Sequence, residues 1–415
     1  MITTAASSAS KIPERAVLRI GPESRALVYL LGAMTALTAL AIDMSLPALP
    51  TLGREFAAAP DRVQLTLSLF IGGYALGQLF IGPLSDRFGR RPILLLGLFF
   101  YMAAAAACAL SVSISMLIAA RLVMGFAGCV GPVLARAVVR DHFAGKTAAQ
   151  MFSSLTAVFG LAPLVAPTIG GWLLVHFGWQ AIFIFLFAFA AALCLAVWAG
   201  LAESLKIPDA DALTPSRLIS NYGAFLGNRI CLGYSLVSGL CWAGIFAFLS
   251  GSPFVFIELY GVSADRYGFY FALSAVGLVL GALSNKWLLR RFGSGHVLRA
   301  GLAILLAGGV VILGACLTRL AGPLGIMAGV MVYIFGLAIV MPNAMAAAME
   351  PVAQMAGSGA ALIGVVQMLC GSVAGYAVNA FYDGTPVPMG AVILLVALAA
   401  AGIYWAALRQ PRAPA

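Results

Sequence analysis

Gly82-Pro-Leu-Ser-Asp-Arg-Phe-Gly-Arg-Arg-Pro92 is a short polar interval between two long apolar runs, residues 63–83 and 93–111. Each run reaches the roughly 20 predominantly apolar residues that a helix needs to cross a bilayer, and the interval carries too much charge to continue either. It therefore reads as a tight turn between two membrane helices. The same alternation extends in both directions and predicts ten further spans, centred on residues 26–48, 115–138, 150–174, 179–200, 229–257, 267–288, 297–317, 323–346, 357–380 and 388–408. Apolar residues fill 62% of the 415 positions and charged residues 9%, against roughly half and about a quarter in soluble chains. No water-soluble fold hides such an excess.

The basic residues test this count, because an error of one span would place every later basic loop on the wrong side. With the N-terminus in the cytoplasm, nineteen of the 24 Lys and Arg fall on cytoplasmic segments. Only Arg54, Arg62, Arg266 and Arg319 fall outside, and Arg121 lies within a span. The expected architecture is all-α, with twelve transmembrane helices in two pseudo-symmetric six-helix bundles. Residues 1–25 are expected as a cytoplasmic tail, 26–200 as the first bundle, 201–228 as a cytoplasmic linker, 229–408 as the second bundle and 409–415 as a second tail. Lys11, Arg15 and Arg19 precede no separate short apolar run with a cleavage site, which argues against a removed signal peptide. The net charge of +10 is spread over loops and so reads as orientation rather than nucleic-acid binding. An internal repeat supports two halves: Gly82-Pro-Leu-Ser-Asp86 is matched 199 residues later by Gly281-Ala-Leu-Ser-Asn285, at what is expected to be the equivalent loop. Transporters built this way hold substrate near the midplane between the halves.

Asp43, in Ala41-Ile-Asp-Met-Ser-Leu-Pro47, follows more than four turns of apolar sequence. A carboxylate at such depth costs roughly 2.5–3.5 kcal/mol even on the lenient insertion scale, which marks it as a functional group. Water-poor surroundings disfavour its charged form and suit it to carry protons; the alternative is a solvated residue near the outer interface, or a cap at the break before Pro47. Arg121 stays charged everywhere and needs a polar cavity or a carboxylate. Asp43 is the expected partner by depth, so that protonation would bias a conformational equilibrium; snorkelling to headgroups is the other reading. In the 82–92 interval, Gly82 and Gly89 permit the turn, Asp86 suits a helix cap, and Asp86, Arg87 and Arg90 are expected to form a gating bridge. Arg91 fits a plain cytoplasmic anchor.

Span 5 carries Gly160, Pro163, Pro167, Gly170 and Gly171, which read equally as a pliant interface element and as a close-packing seam. Tyr74, Gln78, Phe246, Phe254, Tyr270, Asn343 and Gln367 are candidate lining residues of a mostly apolar drug-sized cavity, or ordinary helix packing. Phosphate-cradling loops are absent, and His142, His176 and His296 form no HExxH pattern. The seven cysteines lie in apolar runs without ligand spacing. Neither a metal nor any cofactor is expected, the proton being the coupling ion, and no enzymatic chemistry is expected.

These residues resemble the major facilitator superfamily, and within it the Bcr/CflA group of drug:proton antiporters. Asp43 to Pro50 is similar to that group's first-helix signature, Gly82 to Pro92 to the superfamily's loop motif, Arg121 with Gly125 to the fourth-helix motif, and Pro163 to Gly171 to the antiporter helix. Phe248 to Glu258 and Tyr267 to Leu273 resemble the bicyclomycin-resistance branch. The resemblance implies an inner-membrane exporter exchanging protons for bicyclomycin-, chloramphenicol- or sulfonamide-type antibiotics, with Asp43 as proton site and Arg121 as coupling residue. One chain is expected to hold a complete pathway and to work as a monomer. Ala166 stands where the fifth-helix motif often has glycine, and Thr35 marks the absence of a second first-helix acid, which speaks against dicationic substrates. A metabolite permease and a membrane ligand sensor are the rival readings.

Overall fold

The computed structural model describes residues 24–143 and 145–408, leaving out the side chains of 145–146, 149, 153–154, 156–164, 217–218, 221 and 353–358. The segments expected as tails, residues 1–25 and 409–415, lie almost entirely outside the described residues. Every element described is helical. The first half holds α1 (Arg25–Asp43), extended by a turn at Leu46–Ala48 and a short helix Leu49–Glu55, then α2 (Pro60–Phe88), α3 (Arg90–Ala109), α4 (Ile114–His142, stepped at Cys129), α5 (Gly145–Phe177) and α6 (Gln180–Gly200). A linker helix, Pro215–Gly227, follows. The second half holds α7 (Arg229–Leu259), α8 (Ala264–Arg291), α9 (Ser294–Thr318), α10 (Gly322–Met349), α11 (Ala356–Ala380) and α12 (Val387–Leu408).

Each expected span falls on one of these helices. Among the described residues eleven are long and apolar enough to cross a membrane; in α5, 33 residues long, the described apolar piece is Val165–Phe177. Their starts follow local chemistry. Ser24 Oγ accepts from Ala26 N (3.1 Å) at the head of α1, Asn228 Oδ1 accepts from Ile230 N (2.9 Å) at the head of α7, and Pro60 opens α2 where a missing N–H costs nothing.

The repeat is real, but its register differs from the sequence reading. Gly82–Asp86 and Gly281–Asn285 are not loops; both lie inside helices, α2 and α8. What corresponds across the halves is the pair of capped starts at Arg25 and Arg229, the starts at Pro60 and Ala264, and the ends at Phe88-Gly89 and Phe292-Gly293, all separated by 204 positions. Packing agrees: a Cβ on Gly73 or Gly77 of α2 would strike the α4 backbone at Leu122 and Phe126, and one on Gly277 or Gly281 of α8 would strike α10 at Met331 and Phe335. In this register Asp86 faces no acid counterpart; Arg290 stands in its place.

The two halves meet along α2 against α11 and α5 against α8. Helices α3 with α6, and α9 with α12, pair at the periphery and turn apolar side chains such as Phe99, Leu195, Val310 and Leu395 outward, as lipid-facing helices must. At the end opposite the linker, Ser372 Oγ donates to Ser68 O (2.9 Å), Ser68 Oγ to Ser372 O (3.4 Å), and Gln64 Nε2 to Ser250 Oγ, all across the halves. The extension Leu46–Glu55 also touches α7 there, so this end is closed.

Candidate functional site

Arg121 is set by a close helix crossing. Gly125, one turn further along α4, lies so near Phe70 O of α2 that a Cβ would overlap it, which draws the two backbones together. The guanidinium, 1% exposed, donates Nε to Thr66 O (3.2 Å), Nη1 to Ala41 O (3.0 Å) and Nη2 to Ser45 Oγ (3.2 Å), and lies over the rings of Phe70 (4.3 Å) and Phe183 (5.8 Å). Backbone acceptors and aromatic faces thus satisfy a buried cation without a carboxylate.

Asp43, 4% exposed, is the last residue of α1 and lies in sequence between Ala41 of that helix and Ser45 in the turn after it, the two residues that hold Arg121 there. The guanidinium is taken up by the Ala41 carbonyl and the Ser45 hydroxyl, and no ion pair joins it to Asp43. The expected direct approach of Arg121 to Asp43 is therefore not made in this conformation. Asp43 instead lies within electrostatic reach of Tyr267 on α8, whose hydroxyl is 2.7 Å from Ser252 Oγ. The α5 glycines bring these elements together: a Cβ on Gly170 would overlap Met44 O, and one on Gly171 would overlap Ala264 O. Small residues here let α5 wedge between the end of α1 and the start of α8. Pro167 is buried in the same stretch, whereas the side chains at Gly160 and Pro163 lie outside the described residues.

The motif that opened the sequence reading is the last turns of α2, a break at Gly89 and the first turn of α3. Gly89 has φ +99°, and a Cβ there would come within 2.7 Å of Glu203 Oε2. Its absence lets the Glu203 carboxylate accept from Arg90 N (2.9 Å) and Arg91 N (3.0 Å), capping the positive end of α3. Arg90, almost buried, then bridges Asp86 and Asp141 (Nε to Oδ2, 3.0 Å) and donates to Ser85 Oγ (2.7 Å); Ser204 Oγ donates to the same Asp141 oxygen (2.7 Å). Arg87 does not join: it is exposed and stacks on Phe88 (5.4 Å). Gly82 is half-buried with open space around it. Asp141, Glu203 and Ser204 were missed in the sequence; the one available signal was an acid embedded among bases, as in Arg140-Asp141.

Of the expected lining residues, four converge on the α2–α7–α11 seam. Tyr74 lies beside Gln78; Gln78 packs on Gly364, Phe246 packs on Gly371, and Gln367 Nε2 reaches Ser238 Oγ (3.4 Å). Phe254 and Tyr270 are part of aromatic packing with Tyr382 (5.9 Å) and Phe256 (5.6 Å), and Asn343 joins α10 to α8 through Asn285 Oδ1 (2.8 Å). Those three do not converge with the four.

Two helical halves with polar groups at the seam and a carboxyl where they meet define a multi-pass membrane transporter, not an enzyme. Residues 31–375 match the family model described as the Major Facilitator Superfamily, and the chain belongs to that superfamily. It is 34% identical over 91% of its length to the uncharacterized MFS-type transporter YdgK of Bacillus subtilis, covering 94% of that protein. It is 33% identical over 90% of its length to a bicyclomycin resistance protein homolog of Haemophilus influenzae, again covering 94%. In fold it is similar to the xylose transporter XylE from E. coli in a partially occluded inward open conformation, with TM-score 0.73 and 13% identity, over 94% of this chain and 99% of that one.

Proposed function

We propose that the chain exports drug-like molecules across the bacterial inner membrane in exchange for protons, by alternating access between its halves. The observation that carries this is Asp43: a buried carboxyl at the junction of α1 and α8, left without a guanidinium by Arg121. Its charge state changes the electrostatics of the contact between the halves, so proton binding and domain movement share one element. The bicyclomycin-resistance name of a relative at 33% identity supports the substrate class. In this reading the linker end and both termini are cytoplasmic, one chain holds a complete pathway, and the closed end faces outward. Everted vesicles test it: substrate addition releases protons with wild type, and Asp43→Asn abolishes that release while the variant still binds substrate. Undiminished release from Asp43→Asn refutes the proton assignment.

A further inference from the structure

Arg136 belongs by sequence to the cytoplasmic anchors, but its position is different. On α4 it lies two turns beyond Cys129 on the same face, the face that packs on Gly77 of α2. A helical side chain leans toward its own N-terminus, and here Arg136 Nε donates back to Pro132 O (3.1 Å), which carries the guanidinium away from the linker end and into the bundle. Its charge reaches two buried groups, Tyr74 and Cys129. An anchor would turn the other way, toward headgroups.

Among the described residues its one hydrogen bond is the one to Pro132 O, through Nε. Arg136 remains exposed, and among the described residues no carboxylate lies within ion-pairing distance of it. Gln78, beside Tyr74, is 5% exposed, and its Oε1 is buried with no hydrogen-bond partner. The α4–α10 correspondence of Leu122 with Met331 and Phe126 with Phe335 places Met345 opposite Arg136, so the second half offers no matching cation. An arginine with no hydrogen bond at either Nη atom among the described residues, within electrostatic reach of a phenol that can donate, fits a planar anion taken up by two parallel N–H bonds. The unpaired Gln78 Oε1 is an acceptor and suits a donor elsewhere on the same molecule.

We propose that Arg136, with Tyr74, recognises the anionic group of a substrate, and that this exporter favours aromatic or apolar molecules bearing one carboxylate or a similar anion. This rests on the seam between the halves being the substrate cavity. The test is equilibrium binding to the purified chain in detergent at neutral pH, using biphenyl-4-carboxylate and its methyl ester as a matched pair. A charge-assisted contact of 1.5–3 kcal/mol makes wild type bind the acid about ten-fold or more tightly than the ester. In Arg136→Gln that ratio falls to near one, and Arg136→Lys, retaining the charge, keeps part of it; unfolding midpoints check that both variants are folded. Wild type binding the two probes equally overturns the inference, as does an acid preference that survives in Arg136→Gln. Acid preference in detergent without uptake into everted vesicles sinks the export reading and leaves the Arg136 assignment standing.

Discussion

Arg121 shows why a basic residue can sit deep in this bundle without an acid. Three N–H groups leave one planar head toward Thr66 O on α2, Ala41 O on α1 and Ser45 Oγ in the turn after α1. Lysine cannot reproduce that fork. Arg121→Lys is expected to lose at least one of these charge-assisted bonds, about 1.5–3 kcal/mol each, and to stop transport; the unfolding midpoint and the efflux rate measure both. Wild-type stability in the variant would show that the fork does not matter. The sequence made both Asp43 and Arg121 conspicuous, since each is a costly charge in an apolar run. It did not reveal that they are unpaired, because that depends on the Ala41 carbonyl and the Ser45 hydroxyl taking Arg121 instead.

At the level of a single helix, Pro83 has a role that its place in a turn-like motif concealed. It lies inside α2 and has no N–H, so the Leu79 carbonyl loses its ordinary helical partner. Tyr222 of the linker helix donates its hydroxyl to that carbonyl (2.9 Å), and Phe225 packs nearby in a small core with Val352 and Ile363. Removing the hydroxyl alone, by Tyr222→Phe, should loosen the linker helix from α2 and speed tryptic cleavage after Arg217; an unchanged cleavage rate would mean the apolar core holds it unaided. Helix count and type were legible because length and hydropathy decide them. The repeat register was not: Gly82–Asp86 and Gly281–Asn285 match letter by letter, but side-chain similarity over five residues is weaker evidence than the capped starts and seam glycines that the packing actually uses. The charge cluster was half legible for a similar reason, since Asp141 and Glu203 reach Arg90 from elements far away in the chain.

For the molecule as a whole, alternating access requires that the closed end part. Among the described residues the contacts there are neutral hydrogen bonds, Ser68 with Ser372 and Gln64 with Ser250, rather than ion pairs. Neutral bonds of this kind contribute only about 0.5–1.5 kcal/mol each, which in the proposed cycle makes a closure that can reverse. In the proposed cycle, opening would separate α2 from α11 at Ser68, whereas the Arg90 cluster, lying within the first half and the linker, would travel as one piece. Replacing Ser68 and Ser372 together by cysteine, in a chain whose seven native cysteines have been removed, therefore gives a reversible clamp. Oxidation should cross-link the pair and bring efflux to background, and reductant should restore it, while substrate still binds from the linker side. Complete cross-linking with undiminished efflux would show that the halves do not separate along α2 and α11, and that the route out lies elsewhere.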